Sequence, residues 1–184
     1  MAVGALEQPR AYISGLVHAA ITLHIVSLKL FLSGHMAPSG NVFRQVIESI
    51  ALALLCSCRE LNVLSAFMRG RYSSKNAVRD VVRNWKTLGL IDGASTQLEE
   101  SQRFDGQYSH VTRLTLANLI SFSEPHAYVG VAFYPEKVDA YRKEFRGRVG
   151  LAEVMANAIA AVKVNLRKWP EDEKKEQSSE EFDA

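Results

Sequence analysis

Between Arg59 and Gly89 the chain gathers seven basic side chains (Arg59, Arg69, Arg71, Lys75, Arg79, Arg83 and Lys86) against two acids, Glu60 and Asp80, a local charge of +5. Such an excess suits a polyanion, because phosphate neutralisation supplies most of a protein's non-specific affinity for DNA. The residue types also suit base reading. Arginine bonds bidentately to guanine and asparagine to adenine, while lysine and serine hold phosphate oxygens. Ser73, Ser74, Lys75, Asn76 and Arg79 stand together and form the expected contact group. Arg71, Arg83 and Lys86 flank it, and Arg103 is expected to add a contact from a following turn. The +5 stretch belongs to a basic body: residues 1–169 carry +7, whereas Pro170 to Ala184 hold seven acids and two lysines, a charge of −5.

Other chemistry is thinly represented. His18, His24, His35, His110 and His126 are scattered, and none pairs with another histidine or a carboxylate at metal-ligand spacing. Cys56 and Cys58 are one residue apart, which suits neither a disulfide within a helix nor a zinc site. They read as two reduced thiols in a cytoplasmic protein. There is no P-loop, dinucleotide-binding glycine fingerprint or nucleophile elbow. The chain is therefore expected not to be an enzyme, and to need no cofactor and no metal.

The elements that would position the basic group follow from periodicity. Val78, Val81, Val82, Trp85 and Leu88 recur at i, i+3, i+4, i+7 and i+10, an apolar face for a helix over residues 73–88. Lys75, Arg79, Arg83 and Lys86 fall mostly on the opposite side. Gly70 and Gly89 stand where helix stops are expected. Upstream, a short helix is predicted over 61–68 and a longer one from an Asn41 N-cap to about Arg59, after a loop marked by Gly34, Pro38, Ser39 and Gly40. Downstream, residues 94–100 and the alternating run 111–116 predict a β-hairpin around the turn Phe104-Asp105-Gly106-Gln107.

The runs Asn62-Val63-Leu64-Ser65-Ala66-Phe67 and Ser73 to Ile91, with the strand Val111-Thr112-Arg113-Leu114-Thr115-Leu116, resemble MarR-type winged-helix regulators over about residues 42–119. The resemblance implies a bacterial transcriptional regulator, homodimeric through interlocking N- and C-terminal helices. It implies a fold that is mainly α with a small β-hairpin wing (α+β), a winged helix-turn-helix core between dimerisation helices. The wing of that family carries an Asp-x-Arg motif, whereas this chain reads Arg103-Phe104-Asp105-Gly106-Gln107.

The expected division is thus an N-terminal dimerisation helix in 1–40, the DNA-binding domain in 41–119, a linker and C-terminal dimerisation helices in 120–169, and a disordered acidic tail in 170–184. The apolar stretch 12–32 is long enough to span a bilayer, but Ser14, His18, Thr22 and Lys29 put a polar stripe along it. It reads as an amphipathic helix of a protein with no membrane partner and no signal peptide. A helical region is predicted over 136–169, interrupted at Gly147 or Gly150. Phe122, Tyr128, Phe133, Tyr134, Tyr141 and Phe145 cluster before and within it, and could pack a core or line a pocket for a small-molecule effector. The expected partners are double-stranded DNA and a second copy. The competing reading is a winged-helix protein-interaction module that does not bind DNA.

Overall fold

A computed structural model of the chain describes residues 7–90, 98, 120–121, 128–129 and 133–169. Through these run five α-helices: α1 (Glu7–Leu32), α2 (Met36–Ser57), α3 (Val63–Met68), α4 (Ala77–Arg83) and α5 (Val138–Arg167). Turns of 3-10 helix occupy Arg59–Leu61, Ser74–Asn76 and Pro135–Lys137.

α2 is the centre of the molecule. Phe43, Val46, Ile47, Ile50 and every residue from Ala51 to Ser57 are buried, so no side of its last two turns faces water. A helix apolar all round is stable only when enclosed. α1 packs along it as a helical hairpin and contributes Ile13 and Ala20 to the core. α4 contributes Ala77, Val78 and Val81, and α5 contributes Leu151, Met155, Ala158 and Val162.

Residues that read as a loop prove to be the start of α2, which begins at Met36 rather than after Asn41. Pro38 lies in the first turn, where a missing N–H breaks no helical bond. Ser39 and Gly40 are buried, and the small Ser39 side chain meets α1 directly. There Ser27 Oγ donates to the Ser39 carbonyl at 3.0 Å while Ser39 Oγ donates to the Ser27 carbonyl at 2.9 Å. α5 runs unbroken through Gly147 and Gly150, which face open space. Interior glycines cost about 1 kcal/mol each relative to alanine, and the packing of the helix's buried side offsets this.

The expected stop holds at Gly70, with φ of +68°, whereas α4 already ends at Arg83 and Gly89, with φ of +70°, closes the turn that follows it. Gly70 N–H bonds the Phe67 carbonyl and Arg71 N–H the Ala66 carbonyl, both at 2.9 Å. Gly89 N–H bonds the Lys86 carbonyl and Leu90 N–H the Trp85 carbonyl, both at 3.0 Å. These paired bonds satisfy carbonyls that a helix end would otherwise leave open, and they need a left-handed residue, which glycine supplies without strain.

The α+β architecture expected above is overturned. The described residues are overwhelmingly helical, and a winged helix-turn-helix core with a hairpin wing is not what they form. Among them the strands are two residues each, Ile120–Ser121 and Tyr128–Val129, paired antiparallel with Ile120 opposite Val129. They lie beyond the segment expected to form the wing. Residues 94–97, 99–100 and 111–116, expected as its strands, and Arg103 lie outside the described residues. So does the acidic segment 170–184. The physical reason for the correction is that helices supply the described core: α1, α4 and α5 pack on α2, and Leu98, inside the expected strand 94–100, is itself helical and buried in that core.

Candidate nucleic-acid interface

α3, the turn through Gly70 and the stretch from Ser74 to Leu88 form the corner that carries the basic residues. One side of it is locked inward. Ala77, Val78, Val81 and Leu88 are fully buried, while Val82 and Trp85 are half-buried. The helical spacing that buries these residues turns Lys75, Arg79, Arg83 and Lys86 outward, and all four are exposed. Arg59, Arg69, Arg71 and Ser73 are exposed beside them, whereas Ser74 and Asn76 are half-buried. Of the expected contact residues, Arg71, Ser73, Lys75, Arg79, Arg83 and Lys86 are thus exposed within one segment, while Arg103 lies outside the described residues. α4 itself is only seven residues long, much shorter than the helix predicted over 73–88.

The surface is braced from beneath. Asp80 accepts the Tyr72 hydroxyl at 2.8 Å and pairs with Arg79 Nε at 3.3 Å and Arg83 Nη1 at 3.8 Å. One carboxylate therefore tethers two exposed guanidiniums, while the terminal amino groups of Arg79 stay available to an outside acceptor. Burial, then the hydrogen bond to Asp80, pushes the Tyr72 phenol well above its ordinary range, so it remains a donor. Ser74, expected to hold phosphate, instead donates to Glu48 Oε2 of α2 at 3.2 Å, and Arg44 pairs with the same carboxylate at 2.9 Å. Lys86 Nζ lies 5.4 Å from the Trp85 ring centre, an arrangement that suits a cation–π contact.

A second brace comes from the far end of α5. Trp169 Nε1 donates to the Ser57 carbonyl at 2.8 Å. Asn165 Nδ2 donates to Ser57 Oγ at 3.3 Å and to the Leu88 carbonyl at 3.4 Å. The Arg59 guanidinium sits 5.9 Å from the Trp169 ring centre. Sequence reasoning missed these residues because their partners lie far away in the chain and no local pattern marks them.

At its other end α5 buries a charge. Arg148 is 2% exposed, its guanidinium 4.7 Å from the Phe31 ring centre and 4.8 Å from that of Phe43. It donates to the Glu144 carboxylate and, at 2.8 Å, to Ser39 Oγ. His24 lies in the same cluster, its imidazole held below the ordinary value by burial and then by Arg148. Among the described residues, Arg148 Nε, Glu144 Oε1 and His24 Nδ1 have no hydrogen-bond partner. The cluster fixes the register of α5 against α1 and α2.

Beside it a cavity of about 390 Å³ is lined by Phe31, Leu32, Ser33, Gly34, Met36, Phe133 and Tyr141. Of the aromatics expected around an effector pocket, Phe133 and Tyr141 reach this cavity, and Phe145 borders the adjoining groove with Leu32. Tyr134 stands under Lys137, whose Nζ is 4.2 Å from its ring centre. Phe122 lies outside the described residues, as does the side chain of Tyr128. Among the described residues no three His, Cys, Asp or Glu side chains group as metal ligands. Cys56 and Cys58 are both free and buried. Burial pushes the Cys56 thiol up to about 12, so it is not a ready nucleophile.

Comparison of the chain with protein-family models, with curated proteins and with solved structures finds no match.

Proposed function

We propose that this protein binds double-stranded DNA through the surface built from Arg59 to Lys86, and that it acts as a dimeric transcriptional regulator in the cytoplasm. The observation that carries the reading is the division of one short segment into two faces. Val78, Val81 and Leu88 lock it into the core, while Lys75, Arg79, Arg83 and Lys86 stand exposed on the other side. A basic surface anchored in the core in this way can approach phosphates without first being ordered.

Dimerisation is supported by apolar side chains left in water. Tyr12, Ile21, Ile25, Val26 and Leu32 of α1, and Phe145, Val149 and Val164 of α5, are 39–72% exposed. Both helices are long and apolar enough to cross a membrane. Exposed His18, Thr22 and Lys29 run between the apolar residues of α1, and the Arg148–Glu144 pair is enclosed by protein, which suits a protein partner better than lipid. A second copy related by a two-fold axis would carry a second basic surface and favour an inverted-repeat target.

Fluorescence anisotropy against mixed duplex DNA at several salt concentrations tests the reading. Binding should weaken steeply with salt. Replacing Lys75, Arg79, Arg83 and Lys86 with glutamine should reduce the slope of log affinity against log salt by about 3 to 4, at about 0.9 per phosphate contact. No binding at low salt, or an unchanged slope, would overturn it.

A further inference from the structure

We propose that the acidic segment 170–184 docks on the basic surface of residues 59–86 of the same chain and competes there with nucleic acid. The competition rests on the DNA-binding reading above; the docking does not.

The argument begins where α5 ends. Trp169, the last described residue, is pinned by its hydrogen bond to the Ser57 carbonyl and lies against Arg59, the first basic residue of the stretch. One turn earlier, Asn165 bonds the Leu88 carbonyl, just past Lys86, the last basic residue of the stretch. The chain therefore enters the acidic segment from a helix end held beside Arg59 through Trp169 and beside Leu88 through Asn165.

Charge and reach agree with this placement. Residues 170–184 carry −5 and residues 59–89 carry +5. Fifteen residues span about 50 Å when extended, at about 3.3 Å each. The twelve residues from Lys75 to Lys86, a 3-10 turn, α4 and the turn after it, cannot span more than about 40 Å even if fully extended. The segment can thus lie along the whole basic row. Exposed charge pairs are individually weak. A short tether, however, raises the effective concentration of the segment to about the millimolar range, where a set of weak pairs keeps the surface largely occupied. DNA phosphates would have to displace the carboxylates, which lowers affinity and disfavours weak non-specific contacts most.

Two measurements on the full chain test this. First, a nitroxide is attached at Ser179→Cys, with the buried Cys56 and Cys58 replaced by serine and alanine so that the label has one thiol. At about 50 mM salt it should broaden the amide signals of Lys75, Arg79, Arg83 and Lys86, and at about 0.5 M salt the broadening should fade as screening shortens. It should also vanish when the seven acids are replaced by their amides. Absence of broadening, or broadening indifferent to neutralisation, overturns the docking. Second, the chain with neutralised acids should bind duplex DNA about 3- to 10-fold more tightly at low salt, with the gain lost at high salt. Equal affinities would overturn the competition. If neither chain binds DNA, the DNA-binding reading and the competition fall together, while the broadening still decides the docking.

Discussion

Replacing Arg148 with methionine should destabilise the protein by about 3–5 kcal/mol, the usual consequence of removing one partner of a buried ion pair. The structure places Arg148 in this class. Its side chain is 2% exposed and that of Glu144 is 6% exposed, so water cannot take over the missing role. Methionine fills much of the space between Phe31 and Phe43 but leaves the Glu144 carboxylate enclosed and Ser39 Oγ without its donor from α5. The double replacement Arg148→Met with Glu144→Leu removes both charges. It should recover most of the loss, because well-packed apolar pairs replace buried ion pairs at little net cost. Urea unfolding followed by circular dichroism gives the four corners of the cycle, with a coupling energy expected at about 3 kcal/mol or more. A single replacement costing under about 1 kcal/mol would refute the reasoning, since it would mean that solvent reaches Glu144. So would a double variant as unstable as the sum of its parts.

Two further outcomes follow from the buried groups. His24 is held below its ordinary 6.5, so as pH falls the unfolded chain takes up this proton before the folded one. Its contribution is complete above about pH 6.5 and is lost as pH drops through the lowered folded value, so a Tm profile from about pH 7 to 5 should flatten in His24→Gln; parallel profiles would contradict this. Cys56, with its thiol pushed up to about 12, should resist iodoacetamide in the folded chain at about pH 8 and react promptly in denaturant. Rapid native labelling at Cys56, read by mass spectrometry, would show that the end of α2 is open.

Local periodicity made part of the site legible. The spacing of Val78, Val81 and Leu88 separates the buried side from the side that carries Lys75, Arg79, Arg83 and Lys86, and Gly70 marks the stop after α3, because both signals depend on residues within a few turns. Pro38, Ser39 and Gly40 misled for the opposite reason. Their composition marks loops, but here Pro38 falls in a first turn and the two small residues form a helix crossing whose other half is Ser27. Arg148 reads as a surface residue until Ser39 is brought to it from 109 residues away. The fold class failed on the same ground: alternation within 111–116 carried no information about α5 closing the core. Ser74, expected to hold phosphate, instead spends its hydroxyl on Glu48, a partner 26 residues earlier in the chain.

The enclosure of α2 has a consequence for synthesis. Its end at Ser57 is covered by Asn165 and Trp169, which follow 108 and 112 residues later. At about 5–20 residues per second, the ribosome needs about 5–20 seconds to supply them. Throughout that interval the nascent chain holds an apolar helix covered by α1 but open on the side that α5 will occupy. The molecule is therefore most exposed to aggregation before it leaves the ribosome, and a chaperone that grips apolar helices would meet it there. Mutations that loosen the docking of α5 should thus lower yield in cells before they lower the melting temperature of the protein that survives.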